Sequence, residues 1–349
     1  MVAPVRSVKI QEVDFASYDE IIDVRTPNEF TQDHVPNAVS LPVLDNEEHA
    51  DVGTMYAQIS AFEARKHGGS LVSTNIGKHL KEHFQDKDKN YKPLVYCWRG
   101  GQRSNSFGLV LAQVGWPVDV VEGGYKAFRS FVREELVRLA PLFNFKILVG
   151  LTGSGKTVVL NELEKMGAQT LDLEGCANHQ GSLLGQMPDK QIMNQKAFET
   201  RVWHKLSTLD PNKPVWVEGE SSKIGKVFIP QPLFSHLCAS PSYELVVPRS
   251  SRVEHIINDY PHWLEDKDGL LELLIRLKPR YGGDEFELWQ NWTETGQWKD
   301  LVGRLLEHHY DKSYLNSRGN LYGSPEAKFN LSAVQPEPID TLVAELLKL

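Results

Sequence analysis

Short apolar runs and segments of helical periodicity alternate along this chain, in two successive blocks. Ile21-Ile22-Asp23-Val24 is a mostly apolar run followed by Thr26-Pro27-Asn28, the pattern of a strand ending at a helix start. Val39–Pro42, Lys92–Cys97 and Val118–Val121 read as further strands, the last closed by Gly123-Gly124. Phe107, Val110, Leu111 and Val114 recur at i, i+3, i+4 and i+7, which predicts one apolar face of a helix beginning near Gln102. Residues 45–90 read as a polar, helical insert. The second block opens with the apolar strand Phe145–Val149, a glycine-rich loop and a helix. Strands are expected again at Gln169–Leu173, Pro214–Val217 and Tyr243–Val247. Beyond about residue 255 the pattern is mainly helical, and Trp263, Trp289, Trp292 and Trp298 read as helix core rather than a platform for RNA bases. Strands alternating with helices predict parallel α/β sheets in both halves. A short junction at Ala140-Pro141 sets the expected domains at 1–139 and 140–349.

Composition narrows the function classes. A chain of 349 residues can bury two cores, and 41% hydrophobic with 24% charged residues is ordinary for a globular protein. No run has the length of a membrane span, and the N-terminus lacks the apolar stretch of a secretory signal, so a cytoplasmic monomer is expected. Cys97, Cys176 and Cys238 fit no disulfide or zinc framework, which leaves a free thiol available as a nucleophile. The net charge of −8 excludes a surface coated in basic residues. Local clusters remain, and Lys126, Arg129 and Arg133 are the candidates for contacting a nucleic acid backbone.

Cys97-Trp98-Arg99-Gly100-Gly101-Gln102-Arg103-Ser104 joins a strand end to a helix start. Such a loop can curl its backbone N–H groups around the sulfur, with Arg99 and Arg103 adding positive charge, and so favour a nucleophilic thiolate. The opening run Asp23-Val24-Arg25 with Pro27, Glu29-Phe30, His34, Ala38 and Leu41-Pro42, together with Glu122-Gly123-Gly124, resembles the rhodanese family over about the first 135 residues. That resemblance implies a chalcogen carried on Cys97. The same loop also has the C-x5-R spacing of cysteine phosphatases, so a phosphate ester stays open as a substrate.

Gly150-Leu151-Thr152-Gly153-Ser154-Gly155-Lys156-Thr157 is a complete phosphate-binding loop between an apolar strand and a helical pattern. Its amides suit a diphosphate, Lys156 the outer charge, and Thr157 a Mg²⁺ ion. Asp172 and Glu218 follow neighbouring strands, where nucleotide-using enzymes place an acid, and Arg249 and Arg252 are expected to clamp phosphate oxygens. On spacing alone the ligand is a nucleotide. His34 and His179 are candidate bases, with structural hydrogen bonding the commoner use of a lone histidine.

The order of these motifs resembles the bacterial tRNA 2-selenouridine synthase family over essentially the whole chain. The resemblance runs through Val52-Gly53-Thr54, Glu122-Gly123-Gly124-Tyr125-Lys126, Asp172-Leu173-Glu174-Gly175 with His179 and Gly181-Ser182, Glu218-Gly219-Glu220-Ser221 with Ile224-Gly225, and His309-Tyr310-Asp311. The chain departs from the family pattern at Gln180 and Ser222, where arginine is common. The resemblance implies a rhodanese-like α/β domain followed by a P-loop NTPase-like parallel-sheet domain with a helical C-terminal region. It implies conversion of wobble 2-thiouridine in tRNA to 2-selenouridine in two steps, S-geranylation by geranyl diphosphate and then displacement by selenium from selenophosphate. Cys97 then carries selenium and the P-loop holds diphosphate, with no tightly bound cofactor. The alternative is a sulfurtransferase coupled to an ATP-using P-loop domain.

Overall fold

The computed structural model describes residues 5–179, 193–318 and 321–349. The expected signature positions Gln180, Gly181 and Ser182 lie outside the described residues. The chain divides into two compact units, 1–135 joined by 199–204, and 136–198 with 205–349.

In the N-terminal unit five parallel strands stand in the order β1-β5-β4-β2-β3. These are β1 (Val5–Val8), β2 (Glu20–Asp23), β3 (Ala38–Ser40), β4 (Pro93–Tyr96) and β5 (Val118–Val121). Central β4 and β5 are buried along their whole length, which is why β4 reads as a continuous apolar run and β5 as one broken only by Asp119. Helix α1 (Pro27–Gln32) starts at a capping box made by Thr26 and Glu29, with proline at its first turn. The insert folds as two helices, α2 (Asn46–Gln58) and α3 (Ala61–Glu82). Helix α4 (Gln102–Val114) buries Phe107 and Leu111, but Val114 is exposed, so the predicted apolar face ends one turn early. Helix α5 (Gly124–Leu139) buries Tyr125, Phe128, Val132 and Leu136 on one face.

The C-terminal unit holds a second parallel sheet, in the order β12-β11-β6-β8-β7. Its first strands are β6 (Phe145–Val149), β7 (Gln169–Leu171) and β8 (Val215–Glu218), with helices α6 (Lys156–Lys165), α7 (Leu173–Ala177) and α8 (Gln195–Ser207) between them. A small antiparallel pair, β9 (Lys223–Ile224) and β10 (Val227–Phe228), precedes α9 (Gln231–Cys238). Then come β11 (Ser242–Val246), α10 (Arg249–Asp259), a helical stretch and the edge strand β12 (Ala327–Asn330). Trp289 is fully buried in the helical cluster, with Trp263, Trp292 and Trp298 packed against it, as the core reading requires.

Candidate functional site

The cysteine loop is held by a second motif. Cys97 follows β4 and is 3% exposed, and its Sγ lies 3.2 Å from the Ser104 hydroxyl in the first turn of α4. Gly100 adopts φ +63°, and a side chain there would strike the Val121 carbonyl. Gly124 adopts φ +56°, and a Cβ on it would run into the Cys97 carbonyl and the Gly100 amide. The Glu-Gly-Gly-Tyr-Lys turn is therefore pressed flat against the loop, and the Tyr125 and Lys126 amides donate to the Cys97 and Trp98 carbonyls at 2.8 and 3.0 Å. No side chain caps the first amides of α4 at Gly101, which suits an anion near its N-terminus.

The two arginines of the loop have different fates. Arg99 is exposed and reaches solvent. Arg103 instead forms a two-point ion pair with Glu29, at 2.8 and 3.4 Å, and this holds the Glu29 carboxyl below its ordinary range despite burial. Behind the loop, Arg25 is buried against Asp23 at 2.6 Å, donates to the Asp33 carbonyl, and lies 3.9 Å from the Tyr125 ring centre. The Tyr125 hydroxyl and the Thr200 hydroxyl both donate to Asp33, at 2.9 and 3.0 Å. Burial pushes the Asp33 carboxyl up against these contacts. Arg129 is not the surface residue expected. It sits on the buried face of α5, paired with Glu199 and donating to the Thr200 hydroxyl, whereas Lys126 and Arg133 are exposed. His34 Nδ1 donates to the Phe30 carbonyl at 2.9 Å and the ring stacks on Phe30, an arrangement that secures the end of α1.

The phosphate loop has the geometry its glycines demand. Gly153 and Gly155 adopt φ +78° and +76°, and side chains there would strike Ile256 and Val334. No side chain caps the first amides of α6 at Gly155. Lys156 Nζ donates to the Gly150 carbonyl across the loop at 3.3 Å, and the Gly150 amide donates to the Tyr314 hydroxyl at 2.6 Å. The Ser154 hydroxyl is buried with no hydrogen-bond partner among the described residues.

Four carboxyl groups surround the start of α6. Thr157 Oγ1 donates to Glu174 at 3.3 Å, and the Glu174 amide donates to Glu218 at 2.8 Å. Burial, reinforced by Glu220, pushes the Glu174 carboxyl up to about 8, although Lys156 opposes this. Glu218, at the end of β8, is likewise raised by burial and by Asp172 and Glu174, and its Oε2 has no partner among the described residues. Asp172 caps α7 by accepting from the Gly175 amide at 2.6 Å. His179 belongs to the same region: its Nδ1 is buried without a partner among the described residues, and a side chain on Gly225 would collide with its ring. Burial lowers its basicity, against the opposing pull of Glu220.

The expected arginine clamp is engaged elsewhere. Arg252 is buried, makes a two-point pair with Asp311 at 2.9 Å to each oxygen, and donates to the Thr152 carbonyl at 3.1 Å. Arg249 pairs with Glu307 at 2.9 Å, both half exposed. Arg252 thus braces the loop through its backbone. Arg252→Ala should lower the unfolding free energy of the C-terminal unit by about 3 kcal/mol, the lower end for breaking a buried pair. Denaturant unfolding checks this; unchanged stability with loss of phosphate-ligand binding would return Arg252 to a direct clamp.

Glu29, Ser104, Glu174, Glu220, Asp311 and Tyr314 were missed as site residues on the sequence. All but Tyr314 lie inside or beside quoted motifs, where their type could have flagged them.

Comparison with known proteins supplies the remaining constraint. A family model described as "tRNA 2-selenouridine synthase AAA domain" matches residues 143–268, and one described as "Rhodanese-like domain" matches residues 9–131. A protein of Nitrosomonas europaea named tRNA 2-selenouridine synthase is 36% identical over 348 residues, covering 87% of this chain and 90% of its own. One of the same name from Aeromonas salmonicida is 34% identical over 329 residues, covering 86% and 87%. Among the described residues, no helix is long and apolar enough to cross a membrane.

Proposed function

Because this chain belongs to the tRNA 2-selenouridine synthase family, a family of tRNA-modifying transferases, we propose that it replaces sulfur by selenium in wobble 2-thiouridine through a geranylated intermediate. The observation that carries this reading is the presence, in one chain, of two anion-binding loops of different chemistry. One presents a thiol and the other presents only amides and a lysine. Sulfide is a poor leaving group from C2 of the uracil, and S-alkylation turns it into a thiolate that can depart. The P-loop takes geranyl diphosphate, and Lys156 with the amides after Gly155 stabilises the charge that develops on the departing diphosphate. The base sulfur gains the geranyl carbon as the carbon–oxygen bond breaks. The Cys97 thiolate then attacks the phosphorus of selenophosphate, so that the phosphorus–selenium bond breaks and selenide leaves. The selenide attacks C2, geranylthiolate departs with the electron pair of the broken carbon–sulfur bond, and water cleaves the phosphoryl group from Cys97.

Magnesium brought in with the diphosphate would meet Thr157 and add charge neutralisation. No step depends on it, and among the described residues no group of three or more His, Cys, Asp or Glu could hold a metal ion. The exposed Lys126 and Arg133 are the positions in the cluster free to meet tRNA phosphates. Replacing both with alanine should weaken tRNA binding and lower the steepness of its salt dependence by about two, at roughly 0.9 per lost phosphate contact. Binding isotherms at several salt concentrations read this, and an unchanged slope places the tRNA elsewhere.

The reading as a whole is tested by incubating the protein with thiolated tRNA and geranyl diphosphate in the absence of any nucleotide. S-geranyl-2-thiouridine in the digested nucleosides is expected. Strict dependence on ATP with no geranyl transfer selects the ATP-coupled sulfurtransferase instead.

A further inference from the structure

The N-terminal unit contains a cavity of about 400 Å³ that neither sulfur nor selenium handling explains. It lies between α2, α3 and the first turns of α4. Leu44, Val52, Ala64 and Val72 supply apolar wall, and Tyr56 and Arg65 also line it. It opens to solvent past the exposed Tyr56 and Arg65, and its size and apolar wall with a few polar groups are those of a small-molecule site. Gly68 lets α3 approach α2 closely at its wall, since a side chain there would press on the Val52 methyl groups.

The cavity shares a wall with the cysteine loop. Gln102, Arg103 and Ser106 of α4 line it, and Ser104 of the same turn meets the Cys97 sulfur at 3.2 Å. Its charge is muted: Arg103 is neutralised by Glu29, and burial together with Arg103 drives His49 toward its neutral form. A selenophosphate or a diphosphate would find no unpaired buried cation here. The exposed Arg65 is the other basic group in the lining.

We infer that this cavity receives the isoprenoid chain of S-geranylated uridine while the base is presented to Cys97. This rests on the geranylation reading above and adds to it a site: the diphosphate form of the prenyl group belongs at the P-loop, and the uncharged, base-attached form belongs here. The cavity then orients C2 for selenium and holds the leaving group's hydrocarbon out of water.

The test uses the full chain and anticodon stem–loop oligonucleotides whose wobble base is 2-thiouridine, its S-methyl derivative or its S-geranyl derivative. The wild-type protein should bind the S-geranyl form more tightly than the S-methyl form. Val72→Trp, which fills the cavity, should erase that preference, a loss of roughly tenfold or more for the S-geranyl form alone. Its affinity for the S-methyl and unmodified forms and its geranyl transfer from geranyl diphosphate should be unchanged. Should Val72→Trp fail to fold, Tyr56→Asp decides, because Tyr56 is 58% exposed and tolerates a polar replacement. A folded variant that keeps the full geranyl preference overturns the cavity assignment while leaving the geranylation reading intact. A wild-type protein that forms no S-geranyl uridine overturns both.

Discussion

Cys97→Ser should lower the yield of 2-selenouridine by roughly a thousandfold or more, the scale seen when an essential nucleophile is removed. Geranyl transfer to thiolated tRNA should stay within about twofold of the wild type, as for a substitution remote from the reacting atoms. The reasoning is local. A serine oxygen at this position can keep the hydrogen bond to Ser104 and the fold of the loop, but its alcohol is a far weaker nucleophile than a thiolate. The P-loop, the carboxyl cluster around Thr157 and the Arg252–Asp311 brace all belong to the other compact unit and are untouched. Quantifying both modified nucleosides by mass spectrometry in one reaction checks the division. Loss of both activities in a folded variant would show that Cys97 also serves the prenylation step.

Lys156→Ala is the reciprocal experiment. Removing the charge opposite the departing diphosphate should raise the geranyl-transfer barrier by about 2–4 kcal/mol, the scale for losing an oxyanion donor. That corresponds to roughly thirty- to a thousandfold in rate. In the resting protein Lys156 spans the loop to the Gly150 carbonyl, so it is already placed over the cradle. Its loss also removes the charge that, together with the Thr157 hydrogen bond, opposes proton retention on Glu174, which should then hold its proton to still higher pH. Selenation of tRNA geranylated in advance should proceed at the wild-type rate, because that step releases no diphosphate.

Much of the site was legible because its chemistry is local in sequence. The cysteine loop and the phosphate loop each lie within eight consecutive residues, and their glycines forecast the positive φ angles found at Gly100, Gly153 and Gly155. The role of Glu122-Gly123-Gly124 was legible as a motif but not as a mechanism, since only the folded chain brings Gly124 against the Cys97 carbonyl. Arg129 was misread although helix phase was available. Lys126, Arg129 and Arg133 recur at i, i+3 and i+7 along one stripe. Arg129, four residues after buried Tyr125, is the member of that stripe nearest the face that buries Phe128 and Val132, while Lys126 and Arg133 sit at its solvent edge. Arg252 could not have been assigned this way, because its partner Asp311 is 59 residues distant. Edge strands β1 and β12 escaped notice for a different reason. Neither buries a full residue, and with Val-Arg-Ser-Val and Ala-Lys-Phe-Asn they carry too little apolar signal to stand out.

The most direct measurement is a handover between the two variants. Thiolated tRNA is treated with Cys97→Ser protein and geranyl diphosphate, repurified, and given to Lys156→Ala protein with selenophosphate. Neither variant alone should make appreciable 2-selenouridine from 2-thiouridine, and the sequence of the two should restore it with loss of the geranyl group. Failure to form 2-selenouridine from the geranylated tRNA, with both variants folded and binding tRNA, would contradict a two-step reaction with separable thiol and diphosphate loops.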